Sequence, residues 1–249
     1  VPQYYVENSH EAIIDPTDWD IVQAEIARRK TLGRSYSGNS VFSSRLVCND
    51  CGSFFGQKVW HSTDAYRKVI WRCNGKFKGE KKCTTPHLDI ETIQQKFLFA
   101  YNQLMQNRDG VISNCNQIRQ LVSDCTGLDA EIEKLTEEIE VLAEMVKACV
   151  KENAASVQSQ EEYTKKYNAL VKRYEKTSAR LDALAAEKSR KQDRDRELRL
   201  FIESIKKQPL VLEVWSERLW VGLLDKATVF HDGRMVFQFK NGTEIEVEL

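Results

Sequence analysis

The sequence has no apolar run near the roughly 18 residues that a bilayer span requires, so the chain is expected to work in water with no membrane partner. It has no excess of either charge, because 37 basic and 37 acidic residues cancel. Nucleic acid is not excluded by that balance, since charges can be segregated along a chain. Proline is scarce, and its four copies (Pro2, Pro16, Pro86, Pro209) lie outside 88–208. Glycine is absent between Leu128 and Val221. Such a length without breakers is expected to be helical. No charged-then-apolar leader follows the opening Val1, so a trimmed piece of a longer chain is expected. The four histidines fall in no nucleophile motif, so no catalytic residue is assigned.

What the sequence does have is seven cysteines, an odd count that fits reduced thiols plus a metal site better than a disulfide framework. Cys48 and Cys51 form a Cys-x-x-Cys pair followed by Gly52. After 21 residues come Cys73 and then Cys83. Zinc takes four thiolates in a tetrahedron, and the gap suits a hairpin that returns Cys73 to the Cys48–Cys51 knuckle. "KVWHS" and "YRKVIWR" alternate well enough to be its strands. A redox pair is the competing reading, but thioredoxin-like context is missing. His61 and His87 could also serve as ligands, although Cys83 leaves no vacancy. Four protein ligands leave no position for a catalytic water, so the expected Zn2+ is structural.

The same region is basic. Residues 28–87 hold thirteen Lys/Arg and three acids, a net +10, interleaved with eight aromatics. That combination suits phosphate contacts that release counterions, although most of the aromatics are expected to form a small core. Upstream, Asp15 reads as an N-cap with Pro16 in the first turn. Ile14, Trp19, Val22 and Ile26 then give a short amphipathic helix. Downstream, Trp215, Leu219, Trp220 and Leu223 read as another helix. His231-Asp232-Gly233-Arg234 and Asn241-Gly242 mark the turns of a three-stranded meander.

Between these pieces lies a heptad pattern. Leu121, Cys125, Leu128, Ile132, Leu135, Ile139, Leu142, Val146 and Cys149 alternate steps of four and three. The rhythm resumes with Tyr163, Tyr167, Leu170, Tyr174, Thr177, Leu181 and Leu184. The first seam would run about 42 Å. Residues 129–152 carry net −5 and residues 161–207 net +5, which favours an antiparallel hairpin over a parallel dimer. The turn is expected near 151–160, with Val150, Ala154, Ala155 and Val157 as a mildly apolar tip. Near the base, Lys188, Lys191 and Asp195 enter the stripe, and Gly110 is expected to break the first strand. Cys115, Cys125 and Cys149 read as small apolar residues on or near the stripe.

The order of parts resembles the C-terminal portion of the large serine recombinase (serine integrase) family. The resemblance rests on "YYVENSHEAIIDPTDWDIVQAEIARRK", "LVCNDCG", "WRC", "CTTPHLDIETI", the long coiled coil and "MVFQFKNGTEIEV". It implies an α+β fold: a zinc β-ribbon domain with small helices and a C-terminal β-meander, interrupted by a long antiparallel coiled-coil hairpin. The expected parts are 1–107, the hairpin 108–207, and 208–249 completing the ribbon domain. The resemblance implies Cys48, Cys51, Cys73 and Cys83 as metal ligands, and double-stranded attachment-site DNA as partner. It further implies contacts with other recombinase subunits through the coiled coil, a directionality factor as a further partner, and a cytoplasmic setting in a bacterial host. Arg34, Arg45, Lys58, Arg67, Lys68, Arg72 and Lys76 are DNA-contact candidates by charge and neighbourhood alone. The family's catalytic domain with its nucleophilic serine is not matched, so this chain should bind without cutting. The competing class is a zinc-stabilised coiled-coil scaffold that binds only proteins. The polar residues at the hairpin base predict faster hydrogen exchange over 188–195 than over 170–184; equal protection would refute a softer base.

Overall fold

The computed structural model describes residues 11–32, 40–78, 82–155 and 159–249. The elements run α1 (Pro16–Thr31), β1 (Leu46–Cys48), β2 (Phe55–Trp60), β3 (Lys68–Cys73), α2 (Ile90–Gln106), α3 (Arg108–Ser123), α4 (Thr126–Ala155), α5 (Gln160–Lys206), α6 (Glu217–Leu223), β4 (Leu224–Val229), β5 (Arg234–Phe239) and β6 (Glu244–Glu248). The fold is α+β. It divides into two compact units, Val1–Asn116 with Glu197–Leu249, and Gln117–Arg196. Among the described residues no helix is long and apolar enough to cross a membrane.

In the first unit a four-stranded sheet has the order β1-β4-β5-β6. The meander β4–β5–β6 is antiparallel, and its turns use Gly233 (φ +89°) and Gly242 (φ +95°), a backbone region that costs glycine nothing. β1 joins the sheet in parallel, with Leu46 opposite Ala227 and Cys48 opposite Val229. A three-residue strand carries too little periodicity to announce this pairing. The core is aromatic. Phe97 of α2 meets Trp215 and Trp220 at ring distances of 5.3 and 5.2 Å, and Phe42 meets Trp220 at 5.1 Å. Such edge-on packing adds to the burial of the rings themselves. Trp215 contributes from ahead of α6, whose N-cap is Ser216, and so lies outside the helix expected to contain it.

α1 forms where the cap predicted it. The Asp15 carboxylate accepts from the Thr17 and Asp18 amides at 2.8 and 3.3 Å. Its orientation, however, corrects the sequence reading. Ile14, Trp19, Val22 and Ile26 are exposed, Trp19 by 54%, and only Ile21 is buried. The reason is electrostatic. Glu25 faces inward and takes Arg28, Arg29 and Arg45 at 2.8, 2.7 and 2.6 Å. Arg45 is wholly buried and also donates to the carbonyls of Val221, Leu224 and Asp225. Burial draws Arg45 down to about 10 while Glu25 holds it up. Burial alone would raise Glu25, but the Arg28 hydrogen bond and the Arg45 charge bring it to about 2. Turning the apolar stripe inward would remove Glu25 from a buried cation, and a buried charge without its partner costs more than a few exposed aliphatic groups.

The helical region is cut into more pieces than expected. Gly110 does not break a helix but sits in the first turn of α3. The interruption is Asn107 (φ −117°), and a Cβ on Gly110 would collide with the Asn107 side chain. Leu121 is 76% exposed, and a second break follows, where Asp124 caps α4 by accepting from the Thr126 amide at 3.1 Å. The seam therefore starts at Cys125. In the second unit α4 and α5 pair antiparallel, as their charges predicted. Partners run in opposite directions along the two helices: Glu138–Arg173 (2.6 Å), Glu131–Arg180 (2.9 Å), Asp129–Lys188 (2.6 Å) and, from α3, Arg119–Asp195 (2.8 Å). Leu142, Cys149, Thr177 and Leu184 are buried in the seam. α4 continues to Ala155, five residues into the expected turn, and α5 begins at Gln160.

Glu25→Gln is expected to leave Arg45 buried without its counter-charge and to cost about 3 kcal/mol in urea unfolding. The Glu25 carboxylate contributes fully above its ordinary value of 4.5, and that contribution fades as pH falls toward about 2. The stability gap between wild type and E25Q should therefore shrink across that window.

Candidate metal centre and nucleic-acid face

Four thiols converge at the ends of the first three strands. Cys48 closes β1 and Cys73 closes β3, while Cys51 and Cys83 come from the loops. The Sγ atoms of Cys48, Cys51, Cys73 and Cys83 all lie within 4.8 Å of one another. Tetrahedral zinc with Zn–S near 2.3 Å needs sulfur separations of about 3.8 Å. The Cys51–Cys73 separation is 3.4 Å, far longer than a disulfide, and none of the seven cysteines is in a disulfide. The donor set therefore fits a single thiophilic ion.

Local backbone geometry makes the cluster. Gly52 (φ +68°) donates to the Cys48 carbonyl at 2.8 Å, and Cys48 donates to the Ser53 carbonyl at 2.9 Å. A different turn follows β3, where the Lys76 amide donates to the Cys73 carbonyl at 3.2 Å and the Gly75 amide lies 3.3 Å from the Cys73 sulfur. Asp50 accepts from the Thr84 amide at 2.8 Å and so holds the Cys83 segment against the first turn. Thr85 Oγ1 lies 3.5 Å from the Cys48 sulfur. The thiols are electrically unequal. Burial would raise Cys51, but the Ser53 hydroxyl and amide bring it down to about 6. Burial pushes Cys73 well above the usual thiol range, and the hydrogen bond with Cys51 followed by burial takes Cys83 to about 11. Without a cation the cluster favours one thiolate, and four need the charge of an ion.

A second feature shares the hairpin. In the β2–β3 ladder Gly56, Lys58 and Trp60 stand opposite Arg72, Ile70 and Lys68, so all six belong to one face. Ile70 is buried, while Trp60 is 40% exposed. His87 meets Trp60 edge-on at 4.9 Å, and the Arg72 guanidinium lies 4.7 Å over the ring of Phe77. Lys76 donates to the Thr85 carbonyl at 2.8 Å, and Lys68 pairs with Asp89 at 3.4 Å. Burial, then the charges of Lys76 and Arg72, push His87 below its ordinary value.

Of the seven DNA-contact candidates, the structure thus gathers Lys58, Lys68, Arg72 and Lys76 around one hairpin face, with Arg67 exposed beside it. Arg45 is a correction. It is 0% exposed and tied to Glu25 and backbone carbonyls, so it has no surface for a ligand. Arg34 lies outside the described residues, as does Val157 of the tip; Val150, Ala154 and Ala155 are exposed at the end of α4. The sequence reading does not single out Gly75 or Asp50. The Asn-Gly after Cys73 was the available signal for the second turn.

No curated protein matches the chain. Residues 41–102 match the family described as "Recombinase zinc beta ribbon domain". Among solved structures, the chain aligns with one titled "Crystal Structure of a LSR-DNA Complex" at 16% identity and a TM-score of 0.33, covering 92% of this chain and 65% of that one. The chain thus spans about two thirds of the length of that solved chain. Gly75→Ala should weaken metal retention roughly ten-fold or more, because the added methyl would lie 2.9 Å from Cys51 Sγ and 2.8 Å from Ser53 Oγ. Competition with a chromophoric chelator measures it, and unchanged retention would mean that the turn yields. With its four thiols gathered around the ends of β1 and β3, the stretch 41–102 is similar to the recombinase zinc beta ribbon domain that it matches.

Proposed function

We propose that this chain is the attachment-site-binding and subunit-contact portion of a large serine recombinase, acting in the cytoplasm of a bacterial host. One observation carries this reading: the four-thiol cluster lies at the end of the hairpin that bears the basic, aromatic face, all within the matched stretch 41–102. Cys48, Cys51, Cys73 and Cys83 hold a structural Zn2+, whose charge lets all four thiols ionise. Lys58, Arg67, Lys68, Arg72 and Lys76 face double-stranded DNA. A two-stranded ribbon fits a major groove, and its cations displace condensed counterions. The two sequence portions of the ribbon domain flank an inserted hairpin, and its exposed tip at Val150, Ala154 and Ala155 meets other subunits and sets the direction of recombination. A directionality factor is a further partner. The catalytic serine lies outside this chain, so the chain binds DNA without cutting it.

Elemental analysis should find one zinc per chain. Chelation should abolish DNA binding while the α4–α5 hairpin keeps its helical circular dichroism. Titration against attachment-site DNA should show a steep fall of affinity with salt. Lys58→Ala should reduce the log–log slope by about 1. Binding that ignores DNA sequence, or no binding at low salt, would instead support a protein-only scaffold.

A further inference from the structure

We infer that Arg72 reads a base on this face and that the base is guanine; the inference rests on the DNA-binding reading above. The cations of the face are not equivalent. Lys68 is paired with Asp89, and Lys76 is committed to the Thr85 carbonyl. Lys58 and Arg67 stand on the hairpin as ordinary surface charges. Arg72 alone has its guanidinium seated over an aromatic ring, that of Phe77 at 4.7 Å. Its Nε is buried and makes no hydrogen bond. Among the described residues its guanidinium forms no hydrogen bond or ion pair with the protein.

A guanidinium that is oriented and yet unspent is costly for a fold, because a buried donor has lost water and gained nothing. The arrangement makes sense when the remaining N–H groups are kept for a ligand. Two further details bear on the site. The residue opposite Arg72 is Gly56, and the Asn74 side chain takes the space that a Cβ there would fill, so a polar amide and not an apolar side chain lies across the ladder from Arg72. Arg72 also precedes Cys73, the residue that closes β3 in the sulfur cluster, so its backbone is among the most firmly held on the face.

The ligand follows from the geometry of the donors. A phosphate accepts from any direction, and mobile lysines serve it well. A planar guanidinium fork matches two acceptors in one plane. In the major groove, guanine presents O6 and N7 in that way, and arginine is their usual partner. The division of labour is therefore phosphate contact by Lys58 and Arg67, and base reading by Arg72.

The test uses the zinc-loaded 249-residue chain and a pool of random duplexes. Wild type should enrich a motif containing one invariant G·C pair. Arg72→Ala and Arg72→Lys should flatten that position, losing roughly five- to a hundred-fold discrimination, and leave the other positions intact. Placing 7-deaza-dG at the position removes N7; it should weaken wild type and leave R72A unaffected. An even loss of affinity across sequences in R72A, with the salt slope reduced by about one, would make Arg72 a phosphate contact and overturn the inference. Should both variants misfold, the modified base decides on wild type alone, since indifference to 7-deaza-dG at every enriched guanine overturns it. A wild type that enriches no sequence overturns the DNA-binding reading itself, and the inference with it.

Discussion

Arg45 occupies the place where strands from the two ends of the chain meet, and the larger unit is built around its charge. Its carbonyl accepts the Ala227 amide at 2.8 Å, and its guanidinium is spread over Glu25 and the carbonyls of Val221, Leu224 and Asp225. Lys240 adds a second cation, donating to the Val221 carbonyl at 2.8 Å, and burial draws it down to about 8. The Val221 carbonyl near the end of α6 thus accepts from two cations, one buried and one half-buried, where a helix terminus carries partial negative charge. Closing a loop of this length costs little more than closing a shorter one, because the entropy grows only with the logarithm of length. A strand of three residues can therefore join the sheet, provided that side chains secure it.

The sulfur cluster is built on that closure. Cys48 ends the strand that the closure positions, and the Asn49 amide donates to the Val229 carbonyl at 3.0 Å. Cys73 ends the facing hairpin, one residue beyond Arg72. Sheet, cluster and basic face are consecutive links: disturbing β1 moves a thiol, and disturbing the thiols loosens the strand that carries the cations. α1 is attached to this assembly by Glu25 rather than by its own apolar stripe, which leaves Trp19, Val22 and Ile26 on the surface.

Local signals in the sequence were read correctly where they carried their own physics. Asp15-Pro16 begins α1, the two glycine turns bound the meander, and the heptads from Cys125 onward form a real seam. The cysteine spacing brought four sulfurs together because thiols at such intervals have one common solution around an ion. The errors share a cause. Hydrophobicity and charge, used as guides to inside and outside, turn α1 the wrong way and put Arg45 on the surface. A buried ion pair reverses both rules at once. Gly110 was taken for a breaker by propensity, while Asn107 ends α2 through its conformation.

The sequence alone determined that the long central stretch is helical, that a hairpin returns Cys73 to the Cys48–Cys51 pair, that two helices of opposite charge pair antiparallel, and which four cysteines belong together; the first hairpin strand lies at Phe55–Trp60, ahead of the 58–62 that alternation suggests. Each of these follows from residues close in the chain or from a pattern that repeats along it. The tertiary structure decided the rest: the parallel pairing of β1 with β4, the burial of Arg45, the face that α1 turns inward, and which lysines and arginines share one side of the hairpin. Those outcomes depend on contacts between residues up to about 180 positions apart, and charge or hydrophobicity read along a chain carries no information about which distant partner will compensate it.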